Sequence, residues 1–199
     1  MKLYYSSTSP FARKVRMSAI ILGLEKQITL EPVDVFNDAS YSNVNPLVKV
    51  PTLQTREGLF LTNSPFILEY LDSLSLELKV IPTDSSRWQA LQFQSVADGI
   101  MDAAVLRRLE SLRVPEKQDP KFDQRQREKI KNGLKYFENS IQLLKSETSW
   151  TVVEISLCCA IGYLYYRFAN ENWLANVPKL KSWYENAQKL SWVSQTVVK

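Results

Sequence analysis

Strand-like segments crowd the first 75 residues of this 199-residue chain and then cease. Lys2–Tyr5, Ile28–Val33, Thr52–Thr55 and Leu59–Thr62 are short β-rich runs, the last two joined by the turn Arg56-Glu57-Gly58. Between them lie two helical patterns, Pro10–Gly23 and Pro65–Leu74, and a loop or short helix over Asn37–Pro46. Ser9 and Ser64 precede the two helices as cap residues, each followed by a proline where its missing N–H costs nothing. The order β-α-β-(loop)-β-β-α predicts an α/β unit with a mixed sheet. Residues 76–83 read as a linker. Residues 84–199 carry helical periods only: Asp84–Leu112, Phe122–Lys145, Val152–Phe168 and Lys179–Leu190. Val152–Phe168 is apolar nearly all round, which predicts a buried central helix.

Composition excludes several chemistries. The chain has no histidine, so Ser–His and Cys–His catalysis and His-dependent metal sites are absent. Its 2 cysteines, Cys158 and Cys159, are adjacent and sit in the most apolar helix, where they read as small core residues. The apolar runs are too short or too interrupted to span a bilayer, and the first residues lack the apolar core of a signal peptide. A cytoplasmic protein without a membrane partner is expected. The net charge of +4 lies entirely beyond residue 75, much of it in Lys121–Lys135. Asp123 and Glu128 interrupt that stretch, so a solvated helix face is expected there rather than a nucleic-acid surface.

Three sites in the first segment share a physical logic. The helix starts at Ser9-Pro10 and Ser64-Pro65 expose unpaired N–H groups and a positive dipole end, and so can hold anions. Val50-Pro51 stands directly before a strand. A cis bond there would turn the Val50 backbone outward at the sheet edge, free to pair with a peptide-like ligand. Together they describe a receptor for a small anionic peptide with a sulfur group.

That order of sites resembles the cytosolic glutathione S-transferase family in its serine-type form. The resemblance is carried by Thr8–Arg16, Asn45–Leu53 and Leu61–Leu71, and in the second segment by Thr151-Val152-Val153-Glu154, a capping box opening the buried helix. It implies a thioredoxin-like N-terminal domain (1–75), the linker (76–83) and an all-α C-terminal domain (84–199). It implies that Ser9 donates a hydrogen bond to the sulfur of glutathione; Ser6, Ser7 and Thr8 also offer hydroxyls, of which the cap geometry at helix starts ranks Thr8 next. Val50 would pair through its backbone with the cysteinyl part. Asn63 and Ser64 would hold the γ-glutamyl end, and Lys49 the glycyl end. Phe11 and Arg13 would pack beside the thiol. Asn63 is neutral where the family often has a carboxylate or Gln, and Val48 stands where it often has glycine.

The resemblance further implies an enzyme that conjugates the glutathione thiolate to small electrophiles in detoxification. It needs no metal and no cofactor beyond glutathione as co-substrate. It would work as a homodimer with Phe60 and Phe66 among its contacts. Met101, Val105 and Arg108, with Tyr163 and Tyr166 behind them, are candidates by helical spacing for the wall of a second-substrate site, with core packing the alternative and better reading for most of them. The alternatives are a non-catalytic glutathione-binding or protein-interaction module of the same fold, and a thiol–disulfide reductase. The absence of cysteine at position 9 argues against the reductase.

Overall fold

The computed structural model describes residues 1–146 and 149–198. Its sheet has four strands in the order β2-β1-β3-β4: β1 (Lys2–Tyr5), β2 (Thr29–Pro32), β3 (Thr52–Gln54) and β4 (Phe60–Thr62). β1 runs parallel to β2 and antiparallel to β3, which in turn is antiparallel to β4. The mixed sheet therefore forms as expected, with β1 inside it. Strand alternation sends neighbouring side chains to opposite faces. Leu3 and its partner Leu53 are fully buried in the core. Tyr4 instead meets Tyr41 and Phe60, with ring centroids 6.0 and 6.2 Å away.

Helix α1 (Pro10–Ile21) starts as its signals demand: Ser9 is the N-cap and its Oγ accepts a hydrogen bond from the Ala12 N–H at 3.2 Å. Gly23, just past its end, has φ 68°, a conformation glycine adopts freely. Helix α2 (Ser64–Leu74) buries Ile67, Leu68 and Leu71. Its start differs from expectation. Asn63 occupies the cap position at φ 71°, and Ser64 is already helical, so its hydroxyl cannot reach back to cap. Asparagine tolerates the left-handed region better than other non-glycine residues, which is why the turn is made there.

Residues 76–83 form neither helix nor strand, yet Val80 and Ile81 are buried. Their N–H groups donate to Asp72 Oδ1 at 2.7 and 3.1 Å, and the Val80 carbonyl accepts from the Val152 N–H at 2.8 Å. The remaining helices are α3 (Arg87–Ser111), α4 (Pro120–Asn139), α5 (Val152–Arg167), α6 (Pro178–Ala187) and a short α7 (Ser191–Ser194) that the periodicity did not reveal. α3 packs on both α4 and α5, and α1 packs on α5. Gly133 permits the close approach of α4 to α3, since a Cβ there would lie 2.5 Å from Ile100. α5 is buried almost throughout and opens with the expected capping box, Thr151 and Glu154. In the basic stretch on α4, Lys131 pairs with Glu128, and Arg127 with Asp123 and Glu171. No helix among the described residues is long and apolar enough to cross a membrane.

Candidate functional site

A cleft of about 410 Å³ opens between the sheet-bearing segment and α3. Lys49 and Val50 form one wall, Asn63 and Ser64 the base, Phe11 of α1 a shoulder, and Asp98 and Asp102 of α3 the opposite side. Thus Phe11, Lys49, Val50, Asn63 and Ser64 are brought together. Ser9 is not part of this lining; it stands two residues before Phe11, at the start of α1.

The loop that carries Val50 is held from beneath. Asn45 Nδ2 donates to the Lys49 carbonyl at 2.7 Å and to Thr52 Oγ1 at 3.1 Å, while its Oδ1 accepts from the Leu47 N–H at 2.9 Å. The buried Tyr41 hydroxyl lies 3.0 Å from the same Lys49 carbonyl and 2.9 Å from Thr52 Oγ1. Val48 has φ 50°, so the loop makes a glycine-like turn despite its branched side chain. The Val50-Pro51 bond is cis, as expected. Among the described residues, neither the N–H nor the carbonyl of Val50 takes part in a loop, turn or cap hydrogen bond of the backbone. Sequence reasoning missed Tyr41 and Thr52, whose polar groups sit in otherwise ordinary apolar and strand positions. Asn45, next to Pro46, carried a turn signal that marked it.

At the base of the cleft the Ser64 Oγ is buried and has no hydrogen-bond partner among the described residues. It sits in the first turn of α2, where backbone N–H groups are also unpaired. A buried hydroxyl without a partner costs free energy unless a ligand supplies one. Anionic groups suit that position, because the helix dipole is positive there.

Ser9 accepts its cap hydrogen bond and keeps its own proton free to donate. The Ser6 and Thr8 hydroxyls lie 3.2 Å apart and pair with each other. Arg13, expected beside the thiol, points the other way. Its guanidinium donates to Thr196 Oγ1 at 3.3 Å and to the Val193 carbonyl at 3.2 Å, anchoring the C-terminal segment. A larger hollow of about 610 Å³ lies on that far side, lined by Arg13, Gly162 and Tyr184, and includes none of the cleft residues.

Across the cleft, the fully buried Lys14 Nζ donates to Asp98 Oδ1 and Oδ2 at 2.6 and 2.8 Å. Burial pushes Lys14 below its usual range and Asp98 above, and each opposes the shift of the other. Asp102 is also held up by partial burial, against the pull of Lys49 and Lys14. The α3 carboxylates carried no sequence motif. Of the residues expected near the second substrate, Met101 is a fully buried core residue, whereas Val105 and Arg108 are half-buried. Burial raises the Cys158 thiol to about 12 and that of Cys159 to about 11, so both are inert. No cluster suited to a metal ion occurs among the described residues.

Comparisons with known proteins give a consistent result. Residues 8–74 match the model described as glutathione S-transferase, N-terminal domain. The chain is 36% identical over 192 residues to the uncharacterized GST-like protein YibF of Escherichia coli K12, across 94% of this chain and 93% of that one. It is similar to a solved glutathione transferase family member from Pseudomonas fluorescens Pf-5 with bound glutathione. That likeness has 35% identity and a TM-score of 0.94, and covers 100% of this chain and 98% of that one. A second solved chain from the same organism, with bound S-(propanoic acid)-glutathione, matches at 35% identity and a TM-score of 0.90, over 100% of both chains.

Proposed function

The chain belongs to the glutathione S-transferase family, and from that premise we propose that it conjugates the thiolate of glutathione to small electrophiles. One observation carries the reading: Phe11, Lys49-Val50 and Asn63-Ser64, three separate stretches of the chain, share a single cleft that holds a buried hydroxyl without a partner among the described residues. The bound peptides of the two Pseudomonas fluorescens structures support it.

In this reading glutathione lies extended along the loop wall. The backbone N–H and carbonyl of Val50 pair with its cysteinyl unit as an added strand would. The γ-glutamyl carboxylate meets Ser64, Asn63 and the N-terminus of α2. Lys49 faces the glycyl carboxylate, and Phe11 packs beside the thiol. The Ser9 hydroxyl donates to the sulfur.

The energetics are sufficient without a general base. A free thiol ionises near a pKa of about 8.5, so only a few per cent is thiolate at neutral pH. Lowering that value by about two units needs roughly 2.7 kcal/mol. A hydroxyl hydrogen bond to a charged acceptor supplies about 1.5–3 kcal/mol. The N-terminus of α1 adds about 0.3–1 kcal/mol. The lack of any imidazole in the chain is therefore no obstacle.

Replacement of Ser9 tests this directly. With a chloronitroarene as electrophile, Ser9→Ala should lower kcat/KM by about tenfold to a hundredfold, the worth of one such hydrogen bond. The thiol pKa in the complex should rise toward its free value. Thr8→Val should change neither by more than about twofold, since its hydroxyl pairs with Ser6. Bound glutathione whose sulfur ionises no more readily than in buffer would overturn the catalytic reading. Binding without turnover over a broad set of electrophiles would leave a non-catalytic module.

A further inference from the structure

Arg13 is a buried charge without a counter-charge. It is 6% exposed, yet no carboxylate pairs with it among the described residues. The other buried cations have one: Lys14 has Asp98, and Arg107 has Asp123 and Glu171. The hydrogen-bond acceptors of Arg13 are neutral, the Thr196 hydroxyl for Nε and the Val193 carbonyl for Nη2. A guanidinium carries five N–H donors, so these two bonds leave the Nη1 pair and one donor on Nη2 unspent. An ion taken out of water and given only neutral acceptors keeps much of its desolvation cost.

The unspent donors border open space. Arg13, Gly162, Tyr184 and Val193 all line the hollow of about 610 Å³ that shares no lining residue with the cleft. Gly162 shows where the guanidinium lies. A Cβ there would strike Arg13 Nη1 and stand 3.2 Å from the Tyr184 hydroxyl oxygen. Nη1 and that hydroxyl therefore meet over the glycine, on the wall of the hollow, and the missing side chain at 162 leaves them room.

Most of the remaining wall is aromatic or aliphatic. The Tyr165 ring stacks on that of Tyr184, with centroids 5.7 Å apart and planes within 9°. Tyr165, Tyr166 and Val197 all line the hollow and all are exposed. Exposed rings gathered around a concavity of this size are the surface a small molecule covers. Among the described residues Glu185 is the one carboxylate in the lining. Its side chain is largely in solvent and its Oε1 lies 4.0 Å from Lys181 Nζ, so it serves Lys181 rather than Arg13.

We propose that this hollow is a second binding site, separate from the glutathione cleft, and that it takes a small aromatic carboxylate. The acid group accepts from Arg13 Nη1 and Nη2, which match it in shape and charge. The ring lies against Tyr165, Tyr166 and Val197. The proposal stands whether or not the cleft conjugates glutathione.

The test is a calorimetric titration of the full chain with 2-naphthoate and with 2-naphthamide, which has the same rings and no charge. The wild-type protein should bind the acid at least about tenfold more tightly than the amide, the worth of one charge-assisted hydrogen bond. Arg13→Gln should bring the acid down to the level of the amide and leave the amide within about twofold of wild type. Val197→Trp, a substitution at an exposed lining position, should weaken both probes about tenfold by filling the hollow. Saturating glutathione should leave the affinity for the acid within about twofold. Equal wild-type affinities for acid and amide overturn the proposal without any variant, so misfolding of Arg13→Gln does not shield it. A preference that survives Arg13→Gln overturns it too. Weakening of both probes alike by that variant assigns Arg13 to holding the C-terminal segment alone, and also overturns it. Binding unchanged in Val197→Trp, or displaced by glutathione, places the acid elsewhere and rejects the site.

Discussion

Lys14 and Asp98 state the residue-scale problem of the cleft. A charge with no exposed side-chain surface is tolerable only while its partner stays within hydrogen-bond reach, here 2.6 Å. Lys14→Met alone leaves Asp98 uncompensated, and Asp98→Leu alone strands a buried ammonium. Each should lower the unfolding free energy by about 3–5 kcal/mol. The double variant Lys14→Met/Asp98→Leu should recover most of that loss, read as a urea midpoint. If the double variant is no more stable than the singles, the cost lies in packing rather than charge. Nothing near position 14 in the sequence marks this pair, because its two members are 84 residues apart. The caps are the opposite case: Ser9 bonds Ala12, three residues on, and was legible for that reason. At Ser64 the local signal misled by one residue, because Asn63 adopts a backbone conformation that a cap motif does not encode.

Among the elements, α5 depends most on its start. Glu154 Oε2 accepts from the Thr151 N–H and hydroxyl, both at 2.8 Å, and its Oε1 accepts from the Lys145 N–H at 3.0 Å. Glu154→Ala leaves two backbone donors without partners and should cost about 2–4 kcal/mol in urea unfolding. Thr151→Ala, which removes one cap acceptor, should cost only about 1 kcal/mol. Comparable losses in the two variants would contradict this account. α3 and α4 are tied by Arg107, which donates to Asp123 Oδ1 and Oδ2 at 2.7 and 3.2 Å. Burial works to raise Asp123, but Arg107 and Arg127 outweigh it and hold the carboxyl below its ordinary value. A depressed folded pKa adds stability that is present above the unfolded value and lost as pH falls through the folded one. The acid limb of the stability curve, below about pH 4, should therefore be shallower in Asp123→Asn than in wild type. The helical periods predicted these elements well, since a 3.6-residue repeat reports which face is buried. They passed over α7, whose four residues are too short to show a period.

For the molecule as a whole, the proposed homodimer has a visible surface to test. Phe66, in the first turn of α2, is 62% exposed, and Phe60, on β4, 37%. We expect sedimentation to give twice the mass of one chain, and Phe66→Asp to return it to a single mass. A wild-type monomer at micromolar concentration would remove the dimer from the reading. What the amino-acid order determined unaided was local or periodic: the helix starts at Ser9 and Thr151, the Gly58 hairpin, the apolar all-round α5, and the run of motifs that pointed to a glutathione-binding family. These rest on contacts within a few residues, or on a repeat that one stretch of chain displays by itself. Only the tertiary structure decided that Arg13 turns away from the thiol to hold Val193 and Thr196. It alone set Asp98 against Lys14 and laid the Arg167 guanidinium over the Tyr163 and Tyr166 rings. Those meetings are fixed by how α1, α3 and α5 pack, and packing joins residues whose separation along the chain carries no trace of their contact.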